Sequence, residues 1–494
     1  MTTSIEPTSP PVPAQPGLRA NVLGLFDSIV MAVAGSAPAY TIAGSTAALI
    51  GAVGLAGPAA LLYCGIPMLG IAWAFSYLNR IEANAGASYA WVGRVLHPGL
   101  GFIAGWSLVI SATIFMVAGS LPAGSVTLGL FSSSAAKRPG LVLLVGSAWF
   151  LVMVALVIAG VRVTARAQWI MSGVEVAILV VFAVLAIVHS AQHAVTKFSW
   201  GWFGLSHFNG LAGFAAGGLV AAFYYWGWDV ASNLNEEMKD SKRSAGLGGI
   251  VGVIIVFALY EIFTIATNLA MPAGTIKANA GDVLAILGQL VWHGPGGKLL
   301  VIAVMLSTIA TLETTLIQVT RTLFAMSREE TLPGFLGKIH PTRNTPWIAT
   351  LAVAVVSLGL FVGSNYIGSL GTILSDAISA IGLQICVYYG LAGLTVVIAF
   401  RKVLFASVKN FLLIGVWPFV GAVFMFWILG EFVSSNTGNA VIIWVGLGGL
   451  GIGLIPLVIY WALGSPYFKQ RPTLGKVVPE DTAAAASDGS SLIT

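Results

Sequence analysis

The chain alternates between long apolar runs and short polar connectors. Twelve hydrophobic spans each contain roughly 20 residues or more, the length that crosses the hydrocarbon core of a bilayer. They lie at 24–50, 57–79, 98–130, 139–160, 167–189, 211–234, 246–271, 297–326, 346–364, 369–400, 411–432 and 440–464. Continuous apolar runs suit helices rather than the alternating strands of a barrel. The pattern therefore predicts an all-α, multi-pass integral membrane protein with twelve transmembrane helices.

Polar segments at both ends set the expected domain boundaries. The first 20 residues include five prolines between Pro7 and Pro16 and lack the apolar region of a signal peptide. We expect a disordered cytosolic tail at 1–20 and a second at 469–494, where alanine, serine and glycine dominate. Between them we expect a ten-helix core at 21–403, followed by helices 11 and 12 at 404–468.

Basic residues give the orientation of the twelve spans. With the N-terminus in the cytosol, the outer side holds only five of the 23 basic residues: Lys137, Arg138, Lys197, Lys277 and Lys298. The other 18 fall on the cytosolic side, as the positive-inside rule requires. We therefore expect a protein of the cell membrane with both termini cytosolic.

Two of the spans are interrupted near their middle. Gly35, Ser36, Ala37 and Pro38 interrupt the first span, and Gly227 with Asp229 interrupts the sixth. Proline lacks a donor and clashes with the preceding turn, and glycine weakens a helix. Interruptions at corresponding positions of two halves indicate the binding site of a secondary transporter built from inverted repeats. We expect helices 1 and 6 to be broken within the membrane.

Three sequence motifs resemble those of one family. Asn84–Trp91 and Gly101–Trp106 resemble the cytosolic loop and third-helix start of amino acid permeases. Thr320–Pro333 resembles the segment after their eighth helix, and Ala221–Glu237 resembles their sixth-helix exit. In order and spacing the chain is similar to members of the amino acid–polyamine–organocation (APC) superfamily. The motifs leave the substrate open.

The resemblance implies a LeuT-like fold with two inverted five-helix repeats, at about 24–190 and 211–400, plus two extra helices. It also implies alternating-access transport of an amino acid or amine as the small-molecule substrate. The free amides at the first break suit a substrate carboxylate, and Asp229 suits an ammonium. The expected substrate-binding residues are Gly35, Ser36, Ala37, Tyr225, Trp226, Trp228, Asp229 and Glu313.

Carboxylates inside membrane spans cost free energy to bury, and they usually have a function. Glu175, midway along the fifth span, is the candidate for proton coupling, which we favour over sodium coupling. Glu313, midway along the eighth span, is expected to contact the substrate or to relay protons. Glu236 and Glu237 are interpreted either as a solvated loop paired with Lys242 or Arg243, or as a cytosolic gate closing against Arg94 or Arg166. Arg321, near the cytosolic end of the eighth span, is grouped with these gate residues.

Composition narrows the remaining function classes. Only 8% of the residues are charged and the net charge is +5, so the bilayer is the expected partner and nucleic acid is not. The two cysteines and the scattered histidines provide no metal or cofactor site, and we expect no enzyme and no cofactor. A channel would need a filter or ring motif, which is not evident. The alternative within transport is a carrier or exchanger of polyamines or other cationic amines.

Overall fold

The structure is a computed structural model that describes residues 17–364, 366, 370–435 and 440–472. The predicted tails therefore lie largely outside the described residues, as 1–16 and 473–494. The α-helices, in chain order from α1 to α22, are Leu25–Ser36, Pro38–Val53, Gly57–Ile81, Ser88–Val95, Pro98–Gly129, Ser133–Ala136, Pro139–Ala159, Val161–His193, Gly210–Tyr224, Val230–Asn233, Ser244–Ala270, Ala273–Ala278, Val283–Val291, Lys298–Arg328, Trp347–Ser364, Leu370–Ala399, Val408–Asn410, Trp417–Ser435, Ala440–Ile443, Gly449–Ile452, Leu454–Ala462 and Pro466–Lys469.

The helices confirm the all-α membrane architecture. Ten stretches in the described part of the chain are long and apolar enough to cross a membrane, and one further apolar helix, α9, has 15 residues. The first stretch, Leu25–Ile81, contains both the first and second predicted spans. The predicted span 211–234 is shortened to α9 because the chain leaves the helix at Tyr225.

The first break separates α1 from α2 at a single residue. Ala37 adopts a left-handed conformation, with φ 48° and ψ 64°, and Pro38 begins α2. Proline fits the first position of a helix because that amide has no intrahelical acceptor. The break therefore follows from local sequence: a left-handed alanine ends one helix, and proline starts the next.

The second break separates α9 from the short helix α10. It covers residues 225–229, and Gly227 has φ +96°, a value that residues with a side chain rarely adopt. After α10, one turn of 3₁₀-helix at Asn235–Glu237 leads towards α11. Glycine at 227 thus allows a change of direction that a continuous helix would prevent.

The helices differ in how far they are buried, and this difference locates the core. In their most apolar windows, α14 and Thr372–Ala399 are 78% buried within the protein, whereas Trp444–Ala462 is only 11% buried. α14 packs against α5, α8 and α2, and α16 packs against α5, α9 and α18. The last span consequently lies at the periphery, and the two broken segments lie within the core.

The two ends of the described chain meet at one end of the helix bundle, here called the terminal end. The backbone amides of Val22 and Leu23 donate to the carbonyl of Glu237, and Gln470 accepts from Arg94. Leu23 and Met238 form a single β-bridge, the only β pairing within the residues that the structure describes. The segment before α1 is thereby attached to the exit from the second break.

Candidate functional site

The two breaks contact each other directly through their backbones. A Cβ added to Gly35 would overlap the carbonyl oxygen of Gly227 and lie 2.8 Å from its carbonyl carbon. A Cβ added to Gly227 would likewise overlap the carbonyl oxygen of Gly35. Both glycines are needed for this approach, because any side chain would separate the segments.

Side chains from other helices satisfy the carbonyls that the first break leaves without helical partners. Thr311 Oγ1 donates to Gly35 O at 3.0 Å, and Tyr260 Oη donates to Ser36 O at 2.7 Å. Thr41 Oγ1 also donates to Ser36 O, at 3.0 Å. The irregular backbone is thus embedded in protein, as a bilayer interior demands.

Asp229 is completely buried and is held by two adjacent tyrosines of α16. Tyr388 Oη donates to Asp229 Oδ2 at 3.0 Å, and Tyr389 Oη donates to Oδ1 at 2.9 Å. Trp226 Nε1 in turn donates to Tyr388 Oη at 2.7 Å. None of these donors is charged, so Asp229 has hydrogen bonds but no salt bridge in the described part of the chain.

Aromatic rings surround the Asp229 carboxylate. Trp228 lies 5.1 Å from Phe75 and 5.6 Å from Tyr389, measured between ring centroids. Tyr225, by contrast, turns away from Asp229: its hydroxyl donates to Leu61 O at 3.1 Å. Of the predicted aromatic residues, Trp226 and Trp228 therefore lie at the carboxylate, and Tyr225 packs between α3 and α11.

Glu175 meets the first break from α8. Its Oε1 accepts from the amide of Ala39 at 2.9 Å, and the next amide, that of Tyr40, donates to Ser307 Oγ at 3.1 Å. The amides at the start of α2 are therefore already occupied, contrary to the expectation that they are free. The reason is tertiary: α8 and α14 bring an acceptor to each amide.

Glu313 is buried on α14 and faces α8. It belongs to a different set of hydrogen bonds from Asp229. Gln168 Nε2 donates to Glu313 Oε2 at 2.6 Å and to Ala310 O at 2.9 Å. The neighbouring Thr311 contacts Gly35, as described above. Glu313 is thus two residues from the threonine that contacts the first break, and its hydrogen bond is to Gln168 rather than to Asp229.

Ion pairs close the terminal end of the bundle, with partners other than those predicted. Glu237 pairs with Arg321 at 3.1 Å in full burial, and Glu236 pairs with Arg328 at 2.7 Å. The predicted partners Lys242, Arg243, Arg94 and Arg166 were wrong, because the segment after the second break lies against α14, which presents its own arginines. The Glu236 carboxylate also accepts from the amide of Ala85, at 2.8 Å.

Arg94 forms a second ionic cluster at the same end. It pairs with Glu82 and with Glu329, the latter at 3.1 Å. Burial by itself lowers the pKa of the Arg94 guanidinium, but its hydrogen bond to Glu82 and the charge of Glu329 raise that pKa above its ordinary value. Arg94 therefore stays charged and links α4 to the end of α14.

The opposite end of the bundle opens into a cavity of about 320 Å³. Lys137 and Asp282 line its rim, and Pro122, Val304 and Leu374 lie on its walls. Beneath it lies Tyr40, whose hydroxyl donates to Ala118 O at 3.3 Å, one turn of α5 below Pro122. Phe115 contacts both Tyr40 and Trp226, at 5.7 and 5.4 Å between centroids, so a continuous set of rings links Tyr40 to the ring that hydrogen-bonds Tyr388.

The sequence reasoning missed the residues that hold the predicted carboxylates. Tyr388 and Tyr389 fix Asp229, Ser307 accepts from the start of α2, and Gln168 binds Glu313. A usable signal was present in one case: two consecutive tyrosines stand in the middle of an apolar span. Buried tyrosines need a partner for their hydroxyl groups, and the interior carboxylates are the obvious acceptors.

Comparison with known proteins identifies the class of molecule to which this site belongs. The model of the family described as "Amino acid permease" matches residues 23–452. The chain belongs to the amino acid permease family. The predicted family resemblance is thereby confirmed, and the protein is a multi-pass membrane permease of a family of transporters.

Several curated relatives share this similarity over most of their length. The serine/threonine exchanger SteT of Bacillus subtilis (strain 168) is 24% identical over 377 residues, covering 75% of this chain and 81% of the exchanger. The branched-chain amino acid permease BcaP of Lactococcus lactis is 25% identical over 414 residues, covering 80% and 84%. A methylthioribose transporter of B. subtilis (strain 168) is 24% identical over 320 residues, covering 62% and 67%. The relatives' names thus agree on transport and differ in the cargo.

Proposed function

We propose that this permease moves an amino acid or a related amine by alternating access, with its substrate site between the two breaks. The observation that carries the proposal is the direct contact of Gly35 with Gly227, two residues from the buried Asp229. Paired helix breaks at a repeat interface are where secondary transporters of this kind bind their substrates. The exchanger and the branched-chain permease among the relatives support an amino acid cargo.

In this proposal the two breaks bind opposite ends of the substrate. The N-terminus of α2 binds the carboxylate, because a helix N-terminus carries partial positive charge, and Glu175 then has to leave the amide of Ala39. Asp229 binds the ammonium, and the rings of Trp226 and Trp228 exclude water from that contact. Glu313 lies close enough to the first break to respond to the substrate through Thr311 and Gln168.

The proposed fold contains twelve membrane spans. Counting α1 with α2 as one broken span, α3 as the second, and α9 with α10 as the sixth gives twelve from the ten apolar stretches. The two broken spans are then the first and the sixth, which is the spacing of two inverted five-helix repeats as in the LeuT-like fold. With the basic residues near the terminal end, that end faces the cytosol and the cavity faces outward.

Alternating access then requires the two ends to open in turn. The terminal end is closed by the buried pair of Glu237 with Arg321 and the half-exposed pair of Glu236 with Arg328. Both glutamates follow α10, the short helix after the second break, so movement of α10 would separate them from α14. We propose that these residues form the cytosolic gate, and that Tyr40, Phe115 and Trp226 form the outer one.

Glu175 is the proposed proton-coupling residue. It is fully buried, contacts the first break through Ala39, and forms no salt bridge in the described part of the chain. Intramembrane carboxylates in such positions commonly carry protons in transporters. Sodium is less favoured because both oxygens of Asp229 and one oxygen of Glu175 already accept hydrogen bonds from hydroxyl and amide groups.

One observation favours a carrier of cationic amines as the second candidate. In the described part of the chain, four interior carboxylates form no salt bridge, namely Glu175, Asp229, Glu261 and Glu313, whereas the interior cation Arg321 is already paired with a fifth, Glu237. An excess of negative groups suits a cargo with more than one positive charge. A polyamine carrier or exchanger would use the same breaks, with Asp229 and Glu313 as its two amine sites.

Uptake by the purified protein in proteoliposomes tests the proposal. The assay compares serine, threonine, branched-chain and cationic amino acids with polyamines, with and without an inward proton gradient, and with a sodium gradient as a control. We expect saturable uptake of at least one amino acid and accumulation driven by the proton gradient. Uptake of polyamines alone would favour the second candidate, and non-saturable conductance would contradict a carrier altogether.

A further inference from the structure

The N-terminus of α2 is occupied by a carboxylate of the protein itself. Pro38 has no amide hydrogen, so Ala39 provides the first donor of this 16-residue helix, and it donates to Glu175 Oε1 at 2.9 Å. The substrate carboxylate is expected at these same amides. Glu175 therefore stands where the anionic group of an amino acid would bind.

The second carboxylate oxygen of Glu175, Oε2, lacks a hydrogen-bond donor among the described residues. Glu175 is fully buried, and its Oε2 has no hydrogen-bond partner of good geometry in the described part of the chain. Ser307, which accepts from Tyr40, lies beside the carboxylate. Burying a carboxylate oxygen without a hydrogen-bond donor costs free energy. A ligand that displaces Glu175 from this position would therefore relieve that cost.

The described residues around Glu175 provide no positive side chain that would hold it there permanently. The elements packed against α8 include α1, α2, α7, α11, α13 and α14. Their basic residues are all on α14: Lys298 at its first position, Arg321 paired with Glu237, and Arg328 paired with Glu236. Among the residues that the structure describes, the partial charge of the α2 N-terminus is the only positive group that Glu175 contacts.

We propose that Glu175 is an internal substitute for the substrate carboxylate: it occupies the anion site at the start of α2 when the permease is empty, and the substrate displaces it. This inference rests on the proposed substrate site between the breaks. Two carboxylates compete for the same amides and repel each other, so Glu175 lowers the affinity for any ligand that has a carboxylate. It leaves the affinity for a carboxylate-free amine unaffected, and it thereby sets selectivity.

The test measures two ligands on purified variants. The ligands are the amino acid with the highest uptake and its decarboxylated amine, which keeps the side chain and the ammonium. Glu175→Gln keeps the size and the acceptor of the side chain but removes its negative charge. We expect Glu175→Gln to bind the amino acid about 10-fold more tightly than the unmodified protein and to bind the amine within about twofold.

Two further variants keep the result interpretable. Glu175→Asp retains the charge but shortens the side chain, so it should show a smaller gain in the same direction, even if Glu175→Gln does not fold. Glu261→Gln is the matched control, because Glu261 is an interior carboxylate of α11 whose oxygens have no hydrogen-bond partner among the described residues. It should change neither dissociation constant.

Each outcome separates this inference from the function on which it rests. Weaker amino acid binding by the Glu175 variants would show that Glu175 supports the site, and it would overturn the inference while leaving the proposed function standing. An equal gain for both ligands would also overturn it, because competition for the carboxylate site would then not be the cause. If the unmodified protein binds no amino acid, the proposed function fails and the inference fails with it.

Discussion

Gly35→Ala is expected to weaken substrate binding strongly. The added methyl group would overlap the carbonyl of Gly227 and lie 3.2 Å from Val230 Cγ1. Backbone atoms at the second break cannot rotate away as a flexible side chain can, so the two breaks must move apart. Forcing an extra methyl group into a well-packed position costs about 1–3 kcal/mol. Because the substrate must bridge both breaks, we expect the dissociation constant to rise by about 5- to 150-fold.

Gly44→Ala is the matched control for this result. Gly44 lies on α2, and a Cβ there would lie 3.7 Å from Leu374 Cδ2, an ordinary contact distance. This variant should bind substrate with the affinity of the unmodified protein. Titration of both purified proteins, with thermal unfolding to confirm folding, gives the answer. An unchanged dissociation constant in folded Gly35→Ala would place the substrate site away from the breaks.

Asp229→Asn is expected to weaken the binding of substrates that have an ammonium group. Asparagine keeps the size of the side chain and can still accept from a tyrosine, but it removes the negative charge. A charge-assisted hydrogen bond to an ammonium is worth roughly 1.5–3 kcal/mol, and its loss corresponds to about 10- to 100-fold in affinity. An analogue in which a hydrogen atom replaces the amino group should lose much less.

Asp27→Asn provides the same substitution outside the site. Asp27 accepts from the amide of Gly24 and from Trp169 Nε1 at the start of α1, and the variant should bind both ligands normally. The test measures the dissociation constants of the substrate and of its analogue without the amino group for both variants. Equal losses for both ligands in Asp229→Asn would mean that Asp229 supports the second break, and no loss would move the ammonium site to another carboxylate such as Glu313.

Local chemistry explains which features were predictable from the sequence. Gly35, Pro38 and Gly227 impose breaks through their own backbone preferences, and the structure places helix ends beside each of them. Long apolar runs similarly predicted the helical membrane architecture. The number of separate spans was harder to predict, because the second break shortens the helix before it to Gly210–Tyr224.

Long-range packing explains which features were not predictable. Tyr388 and Tyr389 follow Asp229 by about 160 positions, and no local pattern links them. Glu237 pairs with Arg321 rather than with Arg94 because α14, which contains Arg321, packs against the segment that follows α10. Glu175 was recognised as unusual from its place in an apolar span, but its contact with Ala39 depends on how α8 crosses α2.

The location of a bound substrate tests the central claim most directly. A cryo-electron microscopy map of the purified permease, prepared with the amino acid that shows the highest uptake, should show added density between the breaks. The account predicts a carboxylate near Ala37 and Ala39 and an amino group within hydrogen-bond distance of Asp229. Density confined to the outer cavity beside Lys137 and Asp282, with the breaks unoccupied, would contradict it.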